Sequence, residues 1–352
     1  MRAAVLGYSL LKFKDHWDKS IANLLFEVCD DVLKKSNVKN TDVDFAFVAN
    51  CFSNATGVVY DKFGITEFQV KSDIAGSLAI KQGAESISSG KNKIVLVAGA
   101  EKASDFTFQQ LTRLKLGLID EDEAENGATL EGLYGLIAKK YLQDFGLTHE
   151  LASISLKSYK NAVANEFAWI RKEFNIENIL ASPPVAEPLR LLEAAPFCDG
   201  AAAILLGDQD VAKSFKDPYF IIGSGIGNDT SKLSERKNFI SMQSTSKAFE
   251  AASNQAKLKV DDISIAEVHD LFSISEAIAV EDLGFCEKGK GAVFAANNKI
   301  NLSGGLKACG HAPGATGIRQ AIDVIKRLEK GYGLSHSVSG VGSICIVNIF
   351  GK

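Results

Sequence analysis

Residues 258–270, LKVDDISIAEVHD, can be laid over residues 38–50, VKNTDVDFAFVAN, without a gap. Each stretch has an Asp in a turn and then an alternating apolar run of strand length. The neighbourhoods correspond as well. A strand-like run closing on glycine precedes each stretch, AAVLGYS near the start and YFIIGSGIG at 219–227. Each is separated from it by a helical pattern, at 20–35 and at 243–256. A strand FAFVAN (45–50), a helix at 76–89 and a strand at 94–99 follow in the first half. In the second half a glycine-rich entry leads into a helix carrying Ile318, Ala321, Ile322, Ile325 and Leu328. Strands GLSHSV and ICIVNIF close the chain. Alternation of this kind predicts an α/β fold built from two similar halves, 1–210 and 211–352.

Residues 105–195 break the pattern and read as an insertion capping the first half. They hold an acidic segment, IDEDEAENG (119–127), whose EDEAENG stretch (121–127) is expected to be mobile, and helices through 129–145 and 150–174. Four of the six prolines lie in SPPVAEPLRLLEAAP (182–196), which reads as an ordered loop.

A chain of 352 residues with net charge −4 has no basic footprint for nucleic acid. Its lysines are scattered, which argues against an anionic membrane surface, and no apolar run is long enough for a spanning helix. The start lacks a signal-peptide pattern. Six dispersed cysteines without a CxxC pair indicate neither a disulfide framework nor a zinc site, and a reducing, cytoplasmic compartment is expected.

Chemistry is expected where histidines meet strand ends and glycine loops. His269 ends the strand IAEVHD, opposite Ala49 in the overlay. His311 sits in SGGLKACGHAPGATG (303–317), whose five glycines let a ligand approach the backbone. His336 lies in a strand before the glycine turn SVSGVGS. His16 and His149 read as solvated.

The stretch NLSGGLKACGHAPGATG (301–317) resembles the Asn-x-Ser-Gly-Gly…Gly-His-Pro-x-Gly-Ala-Thr-Gly signature of the thiolase superfamily, with Ala312 placed before Pro313 as a departure. EVHDLF (267–272) is similar to the His-Asp-x-Phe motif of archaeal and sterol-carrier-protein-type thiolases. SGKNKIVLVAGAEKASD (89–105), PLRLLEAAPFCDGAAAILL (188–206) and the C-terminal segment also resemble the family, in order along the whole chain. The resemblance implies a five-layered αβαβα fold and chemistry on a coenzyme A thioester, with no covalently bound cofactor and no metal. It implies a homodimer through the strand near 94–99, or a tetramer. Hydroxymethylglutaryl-CoA synthase and a small OB-fold, zinc-ribbon protein are the implied partners.

In that family a Cys at the start of a buried helix takes the acyl group. Here GSLAI (76–80) resembles the family's helix without a gap and places Asp73 at the nucleophile position; a one-residue gap just before it suits Val70-Lys71, and in either register no Cys lies between Cys51 and Cys198. The variable residue of His-Asp-x-Phe is Leu271, and the second family Cys falls on Val338 or Ser339. A carboxylate there gives a mixed anhydride, a poor exchange partner for coenzyme A, so ordinary thiolase turnover is not expected. The expected site comprises His269, His311 and Asp73. Backbone amides at Gly340, Gly342, Gly304 and Gly305 are expected at the thioester oxygen, and Asn301, Phe272 and His336 in support. Three readings stay open: a thioester enzyme without an acyl-enzyme, acting by aldol- or Claisen-type chemistry or proton transfer; a non-catalytic subunit of a CoA-dependent complex; and an acyltransferase with another nucleophile, for which Cys309 is the candidate.

Overall fold

The computed structural model describes residues 2–352. The overlaid segments fold alike. Each begins with a short 3₁₀ turn, Asn40–Asp42 and Val260–Asp262, closed by the same Asp. Asp42 accepts from the Lys39 amide at 3.3 Å and Asp262 from the Lys259 amide at 2.8 Å. A strand follows in both.

The strands in chain order are β1 (Ala3–Leu10), β2 (Phe45–Asn50), β3 (Glu67–Lys71), β4 (Ile94–Glu101), β5 (Pro184–Ala186), β6 (Leu189–Arg190), β7 (Gly200–Gly207), β8 (Tyr219–Asn228), β9 (Ile263–Glu267), β10 (Tyr332–Ser339) and β11 (Ile344–Gly351). Strands β5 and β6 form a separate hairpin. The other nine make one sheet in the order β3-β2-β4-β7-β1-β8-β11-β10-β9. Read outward from the β1–β8 seam, both halves give the same sequence of partners. Strand β2 corresponds to β9, β4 to β10, β7 to β11 and β1 to β8. The equivalent of β3 is reduced to one parallel bridge, Ala266 to Ile300.

Two helices, Ala75–Ser88 and Pro313–Arg327, pack on each other between the half-sheets and touch strands of both. The helix Ile21–Ser36 covers the outer face of the first half and Gln243–Ala256 that of the second, which makes five layers. Close approach explains the alternate glycines of YFIIGSGIG: a Cβ on Gly225 would lie 2.0 Å from the carbonyl oxygen of Ala248 in the covering helix.

Three expectations are corrected. The helix after Glu150 stops at Ala162 rather than running to 174, because the chain turns back onto the glycine loop and Ile170 donates its amide to the carbonyl of Ala308 at 2.9 Å. The acidic segment is docked: Asp120 caps a short helix, Glu121–Glu125, Asp122 pairs with Lys232, and Glu123 accepts from Ser234 at 3.0 Å. Strand β4 is interior, hydrogen-bonded to β2 and β7, so it cannot pair with a second chain; the sheet edges are β3 and β9.

Candidate active site

The two core helices meet at their first turns, Asp73 leading into one and His311 into the other. Gly76 and Gly317 allow this: their would-be Cβ atoms lie 3.0 Å from the Gly314 carbonyl and 2.4 Å from the Ser77 amide. Gly314 is pressed against β2 and β4, with its would-be Cβ 2.5 Å from the Ala100 carbonyl. Gly314 and Gly317 therefore admit protein backbone, and Gly304, Gly305 and Gly310 meet the side chains of Ala162, Asp270 and Cys198, where the sequence suggested room for a ligand.

Asp73 is buried just before the helix Ala75–Ser88. Its Oδ2 accepts from the Gly340 amide at 2.8 Å and its Oδ1 from the Ser72 hydroxyl at 3.1 Å. Burial raises its carboxyl above the ordinary range against the lowering effect of these donors. Asp73 opens on a cleft of about 440 Å³ lined by Cys51, Phe52, Lys71, Leu114, Leu118, Ile119 and Ser339 among others. The Gly340 carbonyl is held by the Tyr134 hydroxyl at 2.9 Å.

His269 and His311 stand together, ring centroids 5.2 Å apart and planes at 90°. Both are almost fully buried. Burial first, then the Arg319 charge, pushes His269 down to about 3. Burial also holds His311 well below the usual range, so both are neutral at pH 7. Hydrogen bonding fixes the His311 tautomer. The Thr316 hydroxyl donates to the Ala312 carbonyl at 3.0 Å, so it accepts from His311 Nδ1–H at 2.9 Å. This leaves the lone pair on His311 Nε2. His311 is further fixed by Phe197, edge-on at 4.9 Å, and by its backbone bonds to Pro196 and Cys198.

His336 bonds to the backbone of His269. Its Nδ1 accepts the His269 backbone amide at 3.2 Å, so its Nε2–H faces Thr245 at 3.0 Å. Asn301 also braces this strand end, accepting from the Val268 amide at 2.7 Å. Phe272 packs on Tyr134 at 4.9 Å. Two of the expected residues, His336 and Asn301, therefore bond the backbone of the strand end that carries His269.

The expected oxyanion amides are all donated within the protein. Gly340 gives its N–H to Asp73, Gly342 to the Ser339 carbonyl at 2.9 Å, Gly304 to the Asn301 carbonyl at 3.0 Å and Gly305 to the Ser303 hydroxyl at 3.1 Å. Cys309 is fully buried; its thiol donates to the Ser303 carbonyl at 3.3 Å and burial pushes it up to about 12. His16 is buried rather than solvated, with Nε2 on the Lys12 carbonyl at 2.8 Å. Sequence reasoning missed Thr316, which the His-x₄-Thr spacing could have offered. It also missed Tyr134 and Cys51, which carry no local signal. Among the described residues no cluster of His, Cys, Asp or Glu is placed to hold a metal.

Comparison with known families decides the kinship. Residues 12–210 match the thiolase N-terminal domain and residues 225–351 the thiolase C-terminal domain-like family. The chain belongs to the thiolase family. It is 34% identical to the acetyl-CoA acetyltransferase of Methanothermobacter thermautotrophicus over 99% of both chains. It is 25% identical to sterol carrier protein 2 of Oryctolagus cuniculus, over 99% of this chain and 72% of that one. Among solved structures the Ltp2-ChsH2(DUF35) aldolase superposes with a TM-score of 0.86 at 19% identity, covering 100% of this chain and 98% of that one. Within this thiolase fold, Asp73 is a buried carboxylate bonded to the Gly340 amide just before the helix Ala75–Ser88.

Proposed function

We propose that this thiolase-family protein binds an acyl-CoA thioester and makes or breaks a carbon–carbon bond beside it without an acyl-enzyme. The observation that carries the reading is Asp73: an anchored carboxylate stands where the resemblance puts a thiol, while two neutral histidines stand together, His311 bonded through Nδ1 to Thr316 and His269 with Nδ1 unpartnered among the described residues. In the retro-aldol direction Asp73 takes the hydroxyl proton of a 3-hydroxyacyl thioester. The Cα–Cβ bond then breaks, a carbonyl compound leaves, and the electron pair passes into the thioester enolate. His269 Nε2–H, its Nδ1 being without a partner among the described residues, holds the enolate oxygen, and His311 Nε2 relays the single hydroxyl proton to Asp73. The proton on Asp73 returns to Cα.

Likeness to an aldolase structure supports this direction, as does the acetyl-CoA acetyltransferase relative for the thioester. The DUF35 partner in that aldolase's name supports a small OB-fold, zinc-ribbon partner here. A homodimer through the free edge β3 is the assembly we favour, since Phe68 there is 53% exposed beside Phe45 and Phe47. Hydroxymethylglutaryl-CoA synthase is a further partner to test. Six unpaired cysteines are consistent with a cytoplasmic setting.

A second reading, a non-catalytic binding subunit, is favoured by the Gly340 amide being taken by Asp73. Calorimetry with coenzyme A and acetoacetyl-CoA, followed by an assay for carbonyl release from 3-hydroxyacyl-CoA, separates the two. Binding with Asp73-dependent release is the expected result. Binding without release leaves the subunit reading, and no binding removes both.

A further inference from the structure

The strand end carrying His269 and the loop carrying His311 are joined by buried charges that the proposed chemistry does not use. Lys307 is fully buried and donates to Asp270 Oδ2 at 2.6 Å and Glu276 Oε2 at 3.2 Å. Asp270, the residue after His269, accepts from the Leu306 amide through its other oxygen at 2.7 Å. Glu276 also pairs with Lys157, which reaches in from the inserted helix Glu150–Ala162 and donates to the Ile300 carbonyl at 2.8 Å. Asn301 closes the circuit, donating to Glu276 at 3.1 Å and accepting from the Val268 amide. Two carboxylates face two ammonium groups. Despite burial, Asp270 and Glu276 hold Lys307 above its ordinary range, so it stays charged.

Stability alone does not account for such a cluster. Desolvating four charges consumes most of what their attraction returns, and well-packed apolar residues often do as well. A network of directed bonds does fix geometry. Both segments leaving this one lead to a working ring: His269 directly precedes Asp270, and His311 follows Lys307 by four residues. The clamp is tight, since a Cβ on Gly305 would lie 2.1 Å from Asp270 Oδ2.

We propose that Lys307 is a positioning residue: by holding Asp270 and Glu276 together it sets the perpendicular arrangement of His269 and His311. The inference rests on the reading of those two histidines as the working groups. It further makes the inserted region part of the site, because Lys157 supplies the second cation.

Two variants test it, Lys307→Met and the pair Asp270→Asn/Lys307→Met, in which no buried carboxylate is left without a cation. Histidine ring resonances at pH 7 report geometry without any ligand, and calorimetry with acetoacetyl-CoA reports binding. In the folded double variant the His269 ring signals are expected to move, because the edge-on His311 ring shifts them, while those of His336 stay. Thioester affinity should fall about tenfold, equivalent to about 1.4 kcal/mol, with a melting temperature near wild type. Unmoved His269 signals in a folded variant overturn the proposal, whatever the affinity. If wild type itself binds no thioester, the function reading fails, yet the ring signals still decide the positioning role. Should both variants unfold, Lys157→Met removes the outer cation from a partly accessible position. The same His269 shift, smaller in size, is then expected, and its absence overturns the proposal.

Discussion

The two core helices begin at equivalent places in the two halves, yet their first turns face opposite fates. Ahead of Ala75–Ser88, Asp73 has both oxygens occupied by Gly340 and Ser72. Ahead of Pro313–Arg327, His311 has one nitrogen occupied by Thr316 and the other without a protein partner among the described residues. The positive end of a helix dipole favours an anion in the first place and a neutral imidazole in the second. One backbone plan thus yields a carboxylate closed by two bonds, although it lines the cleft, and an imidazole left open at one nitrogen, although it is buried. Duplication preserved the strand order and the seam between helices. Single side chains at the strand ends set the chemistry.

The largest effect should come from the open half. His311→Ala is expected to lower carbonyl release from a 3-hydroxyacyl thioester by about a thousandfold, within the range for a positioned acid–base group, as measured by kcat/KM. A loss below tenfold would move the chemistry elsewhere and break the contrast. The seam comes next. Gly314→Ala places a methyl 2.5 Å from the Ala100 carbonyl and 2.6 Å from the Asn50 Cα. Backbone on both sides cannot yield, so a loss of about 3 kcal/mol is expected from overpacking, seen as a lower denaturation midpoint. A midpoint like wild type would mean that the halves are not locked at this seam.

The closed half should respond in two separable ways. Asp73→Asn keeps an oxygen for the Gly340 amide but removes the base, and about a hundredfold loss of turnover is expected with thioester binding retained. Asp73→Cys returns a thiol to the cleft beside the same amide. Mass spectrometry after exposure to acetyl-CoA should then show an acetylated protein, and wild type should not. Acetylation of wild type would contradict the reading of Asp73.

The duplicated plan was legible because the overlaid segments share a turn aspartate and a strand pattern, and 243–256 is a helix with those bounds. His269 and His311 were visible as polar residues interrupting apolar and glycine-rich motifs. What stayed hidden depends on distance along the chain. Asp73 and Gly340 are separated by 267 residues, and Tyr134 and Gly340 by 206. No local pattern announces either bond. The glycines of 303–317 were read as room for a ligand, because sequence cannot tell whether substrate or another backbone will fill a missing side chain. The helix after Glu150 was overextended since no proline or glycine marks Ala162. A tertiary bond to Ala308 ends it there.

Acid should act on the open half first. His269 and His336 are held at about 3, and His311 is also lowered, each chiefly by burial. Below the unfolded value near 6.5 the unfolded chain binds protons that the folded protein refuses, so stability falls as pH drops. Each histidine contributes about 1.4 kcal/mol per pH unit in that window. Glu267, raised to about 7 by burial and by Asp323, has the opposite sign and favours the fold as pH falls between its unfolded and folded values. The difference between wild type and His336→Gln isolates one histidine: the slope of stability between pH 6.5 and 5 should flatten by about 1 kcal/mol per pH unit. An unchanged slope would mean that His336 titrates normally and that the bond to the His269 amide is not kept in solution.

The smallest effect is expected at Cys309, the one thiol inside a motif. Its sulfur lies among Tyr159, Ala162 and Ala168, donates to Ser303, and receives Asn165 Nδ2 at 3.6 Å. A thiol pushed up to about 12 is almost entirely protonated at neutral pH and has no open face toward substrate. Cys309→Ala should therefore leave turnover within about twofold and lower stability by about 1 kcal/mol, the scale of a small buried truncation. Cys51 provides the control, because it is the thiol that lines the Asp73 cleft. An alkylating probe shaped like a short acyl group should reach Cys51 before Cys309 in the native protein. Labelling in the reverse order, with loss of turnover, would put a nucleophile in the half-site assigned to histidines alone. The division between a closed carboxylate half and an open imidazole half would then fail.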